Sequence, residues 1–316
     1  MRAGRLAAAA LAVLVLAAAG PPAGWQQALP EGGRLGVRAE PVALEGRFDG
    51  LAPAGAWVLR SSHPEFGGLS GILVEDGRLY AVTDRGWWFG AALAGEGDAL
   101  RLEDARLAPM RDAGGETHSK AGGDAEGLTR VGGRLAVSFE RDHRIMLLGE
   151  SGRLGDTIQP RSFEQFPSNN GLEALATLPD GRLLALAETR DGRGVPVFVI
   201  DPGGEVREAR LPAVGRHAVT GGDVGPDGRL YLVLRDYALL RGVSIRVMRY
   251  RLGADGLPEA GTAETLAGFE QTSGIDNMEG IAVERAADGR TRLWLISDDN
   301  FNPLQRTLLL RFEVVD

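Results

Sequence analysis

The feature that most constrains this chain is a repeated short unit: an apolar run, a tight glycine turn, then a second apolar run that ends in an acid. It occurs five times, as LSGILVEDGRLYAVTD (69–84), EGLTRVGGRLAVSFE (126–140), GLEALATLPDGRLLALAE (171–188), DVGPDGRLYLVLRD (223–236) and EGIAVERAADGRTRLWLISD (279–298). Four of the turns hold Asp-Gly and the fifth holds Gly132-Gly133. Such dipeptides supply the positive φ that short hairpin loops need. Helical periodicity over ten or more residues is scarce, so each unit reads as a β-hairpin and the chain as all-β. Strand-like runs at Ile145–Leu148, Val195–Ile200, Ile245–Leu252 and Leu308–Val315 follow most of the hairpins. A hairpin with its trailing strands makes a small sheet of about 40–50 residues, the size of one propeller blade.

The expected architecture is a β-propeller, six-bladed by preference and five-bladed as the alternative. Gly36–Arg60 would supply strands of the extra blade and pair with the C-terminal LLLRFEVV run to close the ring, because closure removes exposed edge strands. A pair of stacked sheets is the competing arrangement. Residues 36–316 are read as a single domain and residues 20–35 as a flexible lead-in.

Residues 1–19 carry Arg2 and Arg5 ahead of an apolar run, Leu6 to Ala19, with small residues before Gly20. This is the pattern of a removable secretory signal, and the run is short of the ~20 residues that cross hydrocarbon. The expected address is periplasmic or secreted, without stable membrane insertion after removal. With no cysteine in the chain, disulfides, thiolate nucleophiles and cysteine-type metal sites are excluded. A formal charge of −8, from 43 acidic and 35 basic side chains, disfavours a nucleic-acid surface. A monomer is the preferred oligomeric state.

A hairpin brings the start of its first strand next to the end of its second. The units therefore pair Ser70 with Asp84, Glu126 with Glu140, Glu173 with Glu188, Asp223 with Asp236, and Glu279 with Asp298. Blades set radially would gather these residues at one mouth. Carboxylates crowded in that way repel one another unless a cation or a basic side chain compensates. Calcium suits them, since it takes six to eight oxygen ligands in flexible geometry. Arg85, Lys120, Arg141, Arg190 and Arg235 are alternatives for that compensation, or contacts for an anionic substrate. His118 and His143, near Asp124, Glu126 and Glu140 in sequence, are the acid–base candidates. The SDDNFNP run is not an EF-hand, as Pro303 stands where such a loop needs glycine. No HExxH, GxSxG, P-loop or GxGxxG pattern is present.

Several ordered motifs, GLSGI with TDRG, DAEGL with SFER, NNGLEAL with AETR, and DNMEGI with SDDNFNPLQRTLLLRFEV, resemble the bacterial phytase-like family described as having esterase-like activity. The resemblance spans roughly Gly36 to the C-terminus. It implies an exported propeller related in form to calcium-dependent propeller phytases, acting on a small anionic ester. By the same resemblance Glu126, Glu173, Glu279, Asp298 and Asp299 look like metal ligands, with Glu126 or Glu173 accepting a proton from water. Arg85, Lys120, Arg141 and Arg190 look like phosphate contacts. The readings left open are metal-assisted hydrolysis of a phosphate or related ester, a non-enzymatic binding platform, and a calcium-dependent lactonase-like hydrolase.

Overall fold

The computed structural model describes residues 33–119, 122–167, 170–188, 193–270 and 273–315. The expected signal and most of the expected lead-in lie outside them, as do Lys120 and Arg190. Among the described residues all regular structure is strand apart from three short 3₁₀ turns, and no helix is long and apolar enough to cross a membrane.

Twenty-two strands among the described residues form five antiparallel sheets. The first holds β4 (Leu69–Glu75), β5 (Arg78–Thr83), β6 (Trp87–Ala94) and β7 (Arg101–Pro109). The second holds β8 (Ala125–Val131), β9 (Arg134–Phe139), β10 (Arg144–Leu148) and β11 (Leu154–Ile158). The third holds β12 (Leu172–Thr177), β13 (Leu183–Ala187), β14 (Val195–Ile200) and β15 (Val206–Leu211). In the fourth, β16 (Ala218–Val224), β17 (Leu230–Ala238), β18 (Gly242–Tyr250) and β19 (Glu264–Glu270) are extended by β2 (Arg47–Phe48). In the fifth, β20 (Asn277–Arg285), β21 (Thr291–Asp298) and β22 (Leu308–Val314) are joined by β3 (Leu51–Arg60) and then β1 (Arg38–Pro41).

The first strands of the sheets, β4, β8, β12, β16 and β20, contact one another in order, and β20 returns to β4. This is a five-bladed propeller. The preferred count of six is corrected here: β3 pairs with β22, Leu308 opposite Val58 and Leu310 opposite Ala56, so the N-terminal segment completes the fifth blade and forms no sixth. Leu35 already donates its amide to Ala105 O at 3.1 Å, one residue ahead of the expected domain start.

The turns fall into two classes. Asp76-Gly77 and Gly132-Gly133 have positive φ at both residues, the two-residue hairpin geometry. In the last three blades Gly181, Gly228 and Gly289 alone are left-handed, each ending a three-residue loop. The core fills the gaps between blades as five apolar clusters. Trp88 and Phe89, next to the rim in sequence, are fully buried in two of them and serve packing.

Every first strand carries a register irregularity at an equivalent place: after Leu69, Ala125, Leu172, Val219 and Met278. A bulge adds a residue to one strand and re-aims a side chain. The residues placed there are Ser70, Glu126, Glu173, Thr220 and Glu279. A small residue follows each, and at three positions a Cβ would run into backbone of the next blade: on Gly280 it would lie 2.1 Å from Ser70 O, on Gly221 2.1 Å from Glu279 O, and on Gly71 2.6 Å from Glu126 O. Neighbouring blades thus meet backbone to backbone at this level.

Candidate metal centre

The bulged positions form one ring about the axis. A second ring comes from the second strands at the level just beyond: Asp84, Glu140, Glu188, Arg235 and Asp298. A cavity of about 340 Å³ opens there, lined from all five blades by eight carboxylates (Asp84, Asp124, Glu126, Glu140, Glu173, Glu188, Glu279 and Asp298) and by Arg85, Arg141 and Arg235. Acids therefore exceed bases by five in a space the size of a small ligand.

Crowding shows in the proton affinities. Burial pushes the Glu126 carboxyl well above the usual range, and Glu173 and Glu279 push it further. Glu173 is raised in the same way by burial, then by Glu279 and Glu188. Asp298 is raised by burial, then by Glu279 and Asp84, although its carboxylate accepts the Asn300 amide at 2.6 Å. Glu140, nearer solvent, is raised to about 7 by burial and then by Asp124. Burial alone would ease the proton off Arg235; Glu279 and Glu188 outweigh it and hold the guanidinium charged. Arg235 lies 2.5 Å from Glu279 Oε1 and 3.6 Å from Glu188 Oε1, so it takes the place of an acid in its blade and ties two others.

The residues fit a divalent cation. Ligand oxygens of Glu126, Glu173 and Glu279 lie within 4.8 Å of one another, and those of Asp124, Glu126 and Glu140 do the same. Two oxygens each about 2.4 Å from one ion can be no more than about 4.8 Å apart. Ser70 Oγ, buried at the ring position of the first blade, has no hydrogen-bond partner among the described residues. A hard cation with many oxygen ligands matches this donor set, which holds no sulfur or imidazole.

Of the residues expected from sequence, Glu126, Glu173, Glu279 and Asp298 come together, with Arg85 and Arg141 at the same mouth. Arg141 is paired with Asp124, and the Arg85 guanidinium stacks 3.3 Å from the Phe301 ring centre. Asp299 is elsewhere. Its carboxylate accepts the Gly68 and Phe301 amides at 3.0 Å and the Thr307 hydroxyl at 2.9 Å, which fixes the loop after β21. His118 and His143 do not line the cavity: His118 packs on Phe139, and His143 Nε2 lies 3.0 Å from Pro167 O with its ring edge-on to Phe166.

The Asp223 and Asp236 pairing is also corrected. Asp223 stands at the far end of its strand, opposite Tyr231, and accepts the Val283 amide at 2.7 Å; Asp236 is tied to Arg216 and Arg241 outside the ring. The signal for the true partner was in the spacing. The rim residue falls seven positions after the turn glycine in Gly77–Asp84, Gly133–Glu140 and Gly181–Glu188, and the same count from Gly228 reaches Arg235.

A family profile described as phytase-like, esterase-like activity of phytase, matches residues 64–301, a span that holds both rings. The chain belongs to the phytase-like family. No curated protein matches the phytase-like chain. Among solved structures it is similar to a gluconolactonase from Xanthomonas campestris, at 13% identity and a TM-score of 0.47 over 87% of this chain and 97% of that one. It is also similar to a mannose phosphorylase from Leishmania mexicana, at 11% identity and 0.46 over 88% of each chain. An aldose sugar dehydrogenase from Streptomyces coelicolor gives 16% and 0.41 over 91% and 100%.

Proposed function

We propose that this phytase-like chain is an exported hydrolase that uses calcium to cleave a phosphate ester or a related small anionic ester. The observation that carries the reading is the placement of Glu126, Glu173 and Glu279 at one equivalent bulge in three blades, with ligand oxygens close enough to share an ion. The N-terminal pattern of residues 1–20 supports export to the periplasm or medium.

Glu126, Glu173 and Glu279 would hold the ion, with Glu140 and Asp298 lining the same cavity from the outer ring. Bound calcium supplies charge to neutralise phosphoryl oxygens and to make water a better nucleophile. Arg85 and Arg141, on the mouth side, orient the substrate's anionic oxygens, as guanidinium groups do for phosphate. Glu140 is better placed than Glu126 or Glu173 to accept the proton of the attacking water: it is partly exposed, whereas Glu173 is buried and Glu126 is closed in by four carboxylates. Arg235 keeps Glu188 and Glu279 in place from the fourth blade.

The test is release of phosphate from a panel of phosphomonoesters by chelator-stripped protein, with and without added calcium, beside lactones and carboxylic esters. Calcium-dependent phosphate release that falls at least a hundredfold in E126Q and E173Q is expected. Turnover of lactones alone would assign a different hydrolase, and inertness of clean calcium-loaded protein towards the whole panel would leave a binding platform.

A further inference from the structure

A larger cavity, about 830 Å³, adjoins the acid rings and shares Arg235, Glu279 and Asn300 with them. Part of its polar lining is engaged within the protein. Asn302 Oδ1 accepts the Leu304 amide at 3.0 Å, Gln305 Nε2 donates to Asp276 Oδ1 at 3.2 Å, the Arg306 amide donates to Asp276 Oδ2 at 2.9 Å, and Asn277 Nδ2 donates to Glu279 at 2.6 Å.

The apolar walls are not so engaged. Tyr237 and Leu304 both line the cavity and are 63% and 89% exposed. Next to Tyr237 at the β17–β18 turn, Leu239 and Leu240 are 86% and 97% exposed. These are four of the five exposed large apolar side chains among the described residues; the fifth is Val315. Tyr237, Leu239 and Leu240 stand together because β17 runs three residues past its ring position at Arg235, while β5, β9 and β13 stop one residue short of theirs. The fourth blade therefore overhangs the mouth with an apolar tip, faced by Leu304 on the loop between β21 and β22. Exposed apolar side chains gathered beside a site mark a place for the apolar part of a ligand.

We propose that this groove seats the apolar part of an amphiphilic phosphate ester whose anionic head lies at the acid rings. The inference rests on the hydrolase reading for the head and on the overhang for the tail. The specificity follows from the two walls: a small hydrophilic ester would leave Tyr237 and Leu304 wet, whereas an alkyl or aryl ester covers them.

The experiment measures Kd by calorimetry, and phosphate release, for butyl, pentyl, hexyl, heptyl and octyl phosphate with calcium present, each below its micelle-forming concentration. Affinity is expected to rise roughly two- to fourfold per added methylene. In the double variant Tyr237→Ser, Leu304→Asn the dependence should flatten to below about 1.5-fold per methylene, and in Val315→Ser it should persist. A flat series in the unaltered protein, or a steep one that survives in the double variant, overturns the proposal. The two readings fail separately. Steep binding without phosphate release keeps the groove and removes the hydrolase, and equal release from every ester with flat affinity removes the groove alone.

Discussion

Replacing Arg235 by glutamine tests whether the rings are held in electrostatic balance. Its side chain is 21% exposed, its guanidinium is 2.5 Å from Glu279 and 3.6 Å from Glu188, and the Glu279 side chain is only 11% exposed. The other two arginines at the cavity are engaged, Arg141 with Asp124 and Arg85 with Glu65 and Phe301. Removing one partner of a buried pair costs about 3–5 kcal/mol, because a charge is left uncompensated. At about 2 °C per kcal/mol for a domain of this size, the metal-free R235Q protein should melt about 6–10 °C below the unaltered one. Calcium at a hundred times its Kd stabilises by about 2.7 kcal/mol. It should raise the variant's Tm by more than the parent's, since it replaces the missing cation. The assay is thermal unfolding in EDTA and in calcium at pH 8. If R235Q in EDTA melts within about 2 °C of the parent, the carboxylates do not repel one another as described.

Two further outcomes follow from the same geometry. Glu126, Glu173, Asp298 and Glu140 bind protons more tightly folded than unfolded, so the stability they add to the metal-free protein is full below about 4.5 and is lost as pH rises through the raised values, about 7 for Glu140. Tm in EDTA should therefore fall between pH 5 and pH 8 and calcium should cancel most of the fall; a Tm in EDTA that rises over that range would contradict the raised values. Gly280→Ala would place a Cβ 2.1 Å from Ser70 O, a backbone atom of the next blade, and should cost about 3 kcal/mol by urea unfolding, whereas Gly261→Ala, with nothing within 4 Å, should stay within about 0.5 kcal/mol. Equal effects at the two sites would mean that the blades do not meet at this level.

Much of this molecule could be read from its hairpins. The turn dipeptides marked them, and the residues flanking each hairpin named most of both rings, because a two-strand unit must bring its ends together. The blade count was less legible, since β3 and β1 complete a sheet whose other strands lie some 250 residues away, and no local pattern records that pairing. Arg235 was hidden by chemistry. Aligning the fourth unit on its acids selected Asp223 and Asp236, one at the opposite end of the strand and one outside the ring, while counting from the turn glycine reaches the arginine. Asp299 and the two histidines were drawn in by closeness in sequence, which a strand end does not translate into a shared direction. The bulge that turns Glu126, Glu173 and Glu279 to the axis depends on backbone contact between blades, visible in sequence only as the small residue after each.

The most direct measurement is a calorimetric titration of calcium into chelator-stripped protein at pH 8. Saturable binding with a submillimolar Kd, weakened at least tenfold in E126Q, E173Q and E279Q alike, is predicted, because in the proposed site the three glutamates share one ion. Absence of binding up to about 10 mM calcium, well beyond the weak end of protein calcium sites, would contradict the account, as would binding that survives all three substitutions.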